Sequence, residues 1–119
     1  MPVPQRSLEV MRAGEALVLA QIDTLDDRDL AAPCRLPGWT RAHVAGHLAR
    51  NADALVNLLD WARTGAVTPM YPSAEARAGG IEAAAAQAPA ALRADVVAAS
   101  ARLVAAAEAM PEAAWAGEV

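Results

Sequence analysis

Apolar residues in this chain recur at alternating three- and four-residue spacing, the repeat that gathers them into one stripe of a helix. No run alternates in twos for more than a few residues. That pattern predicts an all-α fold. Leu8, Met11, Glu15, Val18, Ile22 and Leu25 set out a first helix over about residues 5 to 26. Glu15 interrupts the stripe: it either reaches water from the stripe's edge or faces the bundle interior.

Asp26-Asp27-Arg28-Asp29 then starts a polar connection, which Pro33 and Pro37-Gly38 continue as loop. In Pro37-Gly38-Trp39-Thr40, Thr40 is a good N-cap, because its hydroxyl can accept an otherwise unpaired backbone N–H two or three residues on. Trp39 and Val44 then occupy the two positions of a hydrophobic staple. The second helix is expected from Thr40 to about Arg63, with Gly65 placed to end it. Val44, His47, Leu48, Asn51, Ala52, Leu55, Leu58 and Leu59 form its stripe, which puts His47 and Asn51 on the inward face. Residues 65 to 72 read as loop. Ser73 can cap a third helix to about Ala86, and Pro89 suits the first turn of a last one. The last stripe is Leu92, Val96, Ala99, Leu103, Ala107 and Met110, and Pro111 stops it. Residues 115 to 119 show no further element. Long amphipathic helices joined by short loops make a helical bundle, and 119 residues suit a single domain, 1–119.

Composition says how such a bundle packs. Of the residues, 33 are Ala and none is Phe. Alanine buries little area, so a thin core is expected, one that gains from pairing with a second copy as a homodimer through Ala-rich faces. A net charge of −4 with the Arg residues scattered among acids offers no nucleic-acid surface. No stretch approaches the ~20 consecutive apolar residues of a membrane span, and residues 1 to 10 lack a signal-peptide layout. Cys34 is the single cysteine, so no internal disulfide forms and the cytoplasm is the expected compartment.

Two histidines carry what chemistry the residues suggest. His43 and His47 stand four apart, so both lie on one helix face and could reach one metal ion. His43 is the third residue of its helix, where the dipole disfavours a protonated ring, and it can equally pack or bond at the cap. His47 sits in mid-helix on the core face. Burial without a partner is costly there, so it calls for a hydrogen bond or a metal. Cys34 lacks neighbours that would lower its pKa and reads as structural.

The block Leu36-Pro37-Gly38-Trp39-Thr40-Arg41-Ala42-His43-Val44-Ala45-Gly46-His47-Leu48-Ala49-Arg50-Asn51-Ala52-Asp53-Ala54-Leu55 resembles the signature of the mycothiol-dependent maleylpyruvate isomerase family, within the DinB-like metal-binding bundles. The Tyr71-Pro72-Ser73 turn and the Ala-rich stretch before the last helix also fit that family's N-terminal domain. The resemblance implies that His47 is a ligand of a divalent metal, zinc, completed by a Glu and a His four apart on a later helix. The metal would activate the thiol of mycothiol. The thiolate would add to maleylpyruvate, the double bond would rotate, and the thiol would leave to give fumarylpyruvate. Other members of the wider group transfer thiols.

His43 and Asn51 would then line the pocket or steady the ligand, while Asp53 and Arg50 would face solvent or each other's charge. The implied partners are a low-molecular-weight thiol and a small electrophile. No His follows His47. The bundle is therefore expected to lack its last metal-ligand helix or to carry it truncated, and residues 112 to 119 resemble the approach to that helix. Glu15, Glu108 or a second subunit could add donors. The alternative reading is a non-catalytic dimerising module or an inactive fragment.

Overall fold

The computed structural model describes residues 2–119. Their regular structure is helical: α1 (Gln5–Asp23), α2 (Asp27–Ala31), α3 (Arg41–Thr64), α4 (Ala74–Ala85), α5 (Pro89–Glu108) and a 3₁₀ helix (Glu112–Ala116). Each predicted cap of the later helices is present. Ser73 accepts from the Ala76 N–H, Gly65 adopts φ +75° after α3, and Pro89 opens α5. Three expectations need correction. The first helix stops at Asp23 rather than near residue 26, and part of the expected loop is α2. The cause is local: the Asp26 carboxylate accepts the Asp29 N–H and Asp29 returns the favour to the Asp26 N–H, a capping box written in acids. The tail is likewise not bare, since residues 112–116 form one 3₁₀ turn after Pro111.

The α5 stripe is buried throughout, from Leu92 to Met110. On α3 the outcome differs from the pattern. Its buried residues are Ala45, Gly46, Ala49, Ala52 and Ala54, while Val44, His47, Leu48, Asn51, Leu55, Leu58 and Leu59 are only half-buried. Small residues won the core because helices approach more closely over them. Ala45, Ala49 and Ala52 meet Leu92, Val96, Ala99 and Leu103 of α5. Gly46 admits α4: a Cβ there would lie 2.9 Å from that of Ala84 and 3.2 Å from the Ala85 nitrogen. Helix α1 packs on α5 and stands off from α3. The radius of gyration is 15.4 Å, against about 13.5 Å for a compact chain of this length, because the molecule is elongated, 46 × 30 × 23 Å along its principal axes.

Candidate functional site around His47

The site starts at the loop that delivers α3. Gly38 turns the chain at φ +78°, and Pro33 bridges Thr40 across the turn. Trp39 is thereby fixed ahead of the helix, its carbonyl taking the Cys34 N–H at 3.2 Å. Its ring stacks on His43 at 5.9 Å between centroids and lies tilted against His47 at 6.1 Å.

His43 closes the cap. The Thr40 hydroxyl accepts the His43 N–H, and the Thr40 N–H donates to His43 Nδ1 at 3.1 Å. Nδ1 is thus an acceptor, so in the neutral ring the proton sits on Nε2, which donates to Glu82 Oε2 at 3.0 Å. Both ring nitrogens are spent on holding α3 to its own start and to α4. His43 presents no free lone pair to a metal.

One turn on, His47 is in the opposite condition. Its Nδ1 is enclosed and has no hydrogen-bond partner. Desolvation, and then the charge of Arg77, hold its pKa below the ordinary imidazole value, which keeps the ring neutral and able to ligate at pH 7. Asn51, a further turn along, makes no hydrogen bond to the imidazole among the described residues. It opens instead on a cavity of about 50 Å³ shared with Glu15 and Ser100. There Glu15 accepts a 2.6 Å hydrogen bond from the buried Ser100 hydroxyl, so the acid in the α1 stripe is half-buried rather than turned to water. Glu108 is committed to Arg12 at 2.6 Å on the far face. Asp53 takes a two-pronged contact from Arg102 and a third from Arg50. The Cys34 thiol rests 3.5 Å from the Trp39 carbonyl.

The residues present do not make a metal centre. Among the described residues no three of His, Cys, Asp and Glu come close enough to hold an ion. The orphaned Nδ1 of His47 suits one ligand of a set, and neither Glu15 nor Glu108 joins it.

Residues that the sequence did not single out also meet here. Glu82 reaches His43, and Arg77 lies close enough to bias His47 while stacking 5.9 Å over the Tyr71 ring. Gly46 was the available signal. A glycine in mid-helix costs about 1 kcal/mol relative to Ala unless something must approach closely, and here α4 does.

Comparison with known proteins agrees with this architecture. The family model "Mycothiol maleylpyruvate isomerase N-terminal domain" matches residues 11–119. A crystal structure of the mycothiol-dependent maleylpyruvate isomerase superposes with a TM-score of 0.93 at 39% identity, covering 100% of this chain and 49% of that one. A mutant of the enzyme with one histidine replaced by alanine matches with the same figures. The chain therefore spans about half the length of the solved structures it matches. No curated protein matches it.

Proposed function

This chain belongs to the mycothiol maleylpyruvate isomerase N-terminal domain family, and on that basis we propose that it is the histidine-bearing domain of a thiol-dependent enzyme. The reaction class is cis–trans isomerisation or thiol transfer, with mycothiol as thiol and a small electrophile as its partner. His47 supplies one ligand to a divalent metal, zinc, whose service would be to lower the pKa of a bound thiol. Because no complete donor set exists among the described residues, the other donors come from outside them. His43 and Asn51 flank the ligand: His43 steadies the helix turn that bears it, and Asn51 lines the adjoining cavity. The reading takes residues 1–119 as one domain in the cytoplasm, where a lone Cys34 stays reduced.

The observation that carries this reading is the enclosed, unpartnered Nδ1 of His47 beside an imidazole whose nitrogens are both occupied. Cobalt(II) titrated into the untagged chain, followed by NMR of the two rings, tests it. Selective perturbation of His47, lost in His47→Ala, is the expected result. Equal response of both rings, or none, overturns it.

A second reading, a dimerising module, is favoured by a different feature. An apolar hollow of about 400 Å³ opens between α1 and α3, lined by Leu17, Val18, Ile22, Leu25, Val44 and Leu48. Leu17 is 68% exposed at its edge. A second copy laid there as a homodimer would bury it. Light scattering that shows only monomer at micromolar concentration rejects this second reading.

A further inference from the structure

We propose that the hollow beside the first half of α1 binds a small apolar molecule bearing a primary ammonium group, with Glu15 as its counter-ion. Between α1, α3 and the 3₁₀ helix, over a floor of α5, lies a space of about 390 Å³. Leu8, Met11, Leu55, Leu58, Leu59 and Leu103 line it, together with Trp115. Glu15, Leu55 and Leu103 belong also to the wall of the 50 Å³ cavity that Asn51 and Ser100 line. The apolar space and the polar one therefore adjoin at Glu15. Among the described residues Glu15 is the one charged side chain lining either of them.

The state of that acid points to the ligand. Of the described acids that are not exposed, Asp53, Asp60 and Asp95 each meet an arginine, and Asp29 closes a helix cap. Glu15 meets only the neutral Ser100 hydroxyl, through Oε2 at 2.6 Å. Arg12, one turn before it on α1, is committed to Glu108. A carboxylate drawn into an apolar wall without a cation is costly, and a bound cation offsets that cost. Around it stand further acceptors. Asn51 makes no hydrogen bond among the described residues, so its amide oxygen is unspent. Ser100 spends its hydrogen on Glu15 and keeps an oxygen lone pair. A primary ammonium offers three N–H donors on one compact centre and no acceptor, which matches a carboxylate, an amide oxygen and a hydroxyl oxygen around a small cavity. An apolar lining with a few convergent polar groups is the usual make-up of a small-molecule site. His47 lines neither space, so this site is independent of the metal reading.

The test titrates n-octylamine into the untagged chain at neutral pH, below its micellar concentration, while the Trp115 Nε1–H resonance is followed by NMR. Saturable binding is expected. 1-Octanol keeps the apolar body without the charge, and methylamine keeps the charge without the body; each should bind at least about tenfold more weakly. Octanoate should bind more weakly than octanol. Glu15→Gln should bring octylamine down to the level of octanol, and Glu15→Asp should retain part of the difference. Circular dichroism checks that both variants fold, and the ranking of the four ligands on the unaltered chain stands without them. Octanol or octanoate binding as tightly as octylamine, or unchanged octylamine affinity in folded Glu15→Gln, overturns the proposal. So does the absence of saturable octylamine binding, which in a chain that light scattering shows to be dimeric would mean that a second copy fills the hollow.

Discussion

Helices α1 and α3 both carry a regular apolar stripe, yet they are packed in opposite ways. The first half of α3 is held on three sides: by the loop at its cap, by α4 against Gly46, and by α5 against Ala45, Ala49 and Ala52. Helix α1 is held mainly by α5 and fully buries only Leu8 and Ile22, leaving Val10 66% and Leu17 68% exposed. The lesson is that burial follows the residues which allow close approach rather than those with the largest apolar area. Alanine and glycine bring backbones together and so decide which face becomes the interior. Larger side chains on the neighbouring face then line open hollows, and the histidine at that border is half-exposed and unpartnered.

Substitutions can break this contrast, and the largest expected effect lies in the shared core. Leu92→Ala removes a fully buried side chain against α3 and should cost about 2–5 kcal/mol in urea unfolding. Leu17→Ala should stay within about 0.5 kcal/mol, since little is lost at an exposed site.

A single type of change should separate the two helices by sign. Gly46→Ala forces a Cβ within 3.2 Å of backbone atoms of α4 and should destabilise by about 1–3 kcal/mol. Gly14→Ala on α1 meets nothing within 4 Å and should stabilise by about 0.5–1 kcal/mol, because alanine loses less backbone entropy in a helix. Thermal melts of the pair decide it; the same sign for both would mean that α4 does not pack as described.

The cap should weigh about as much. Thr40→Ala opens the capping box and loosens the His43 ring that reaches Glu82, and should cost about 1 kcal/mol. Faster amide exchange in the first turn of α3, with α1 unchanged, would show that the loss is local.

The smallest effect concerns His47. Its folded pKa lies below that of the unfolded chain, so between the two values the unfolded state binds more protons and stability rises with pH. The contribution is complete above the unfolded value and is lost as pH falls through the window beneath it. In metal-free solution the chain should lose more stability than His47→Gln between about pH 7.5 and about pH 5.5. Parallel curves would mean that the ring is solvated in the folded state.

Much of this was legible residue by residue. Thr40, Ser73, Gly65 and Pro89 mark element ends through contacts within one turn, which need no tertiary information. The α5 stripe was legible because its large residues do face the core. The face of α3 was not, since periodicity weights Leu above Ala, and the alanine face won through contacts with helices far along the chain. The acid-built start of α2 is not legible, because a run of Asp reads as solvated loop and its two reciprocal hydrogen bonds exist only in the folded turn.

The site divides along the same line. The two histidines, their four-residue spacing and the cap that fixes the first of them are written in consecutive residues, and so is the family block that surrounds them. Only the packed structure decides that His43 spends its second nitrogen on Glu82 of α4 and that His47 keeps one nitrogen enclosed and unspent. Local hydrogen bonds and periodicity act over a few residues and are encoded there. Part of the environment of each imidazole is made by side chains 30 or more residues away, and only the packed structure brings those near.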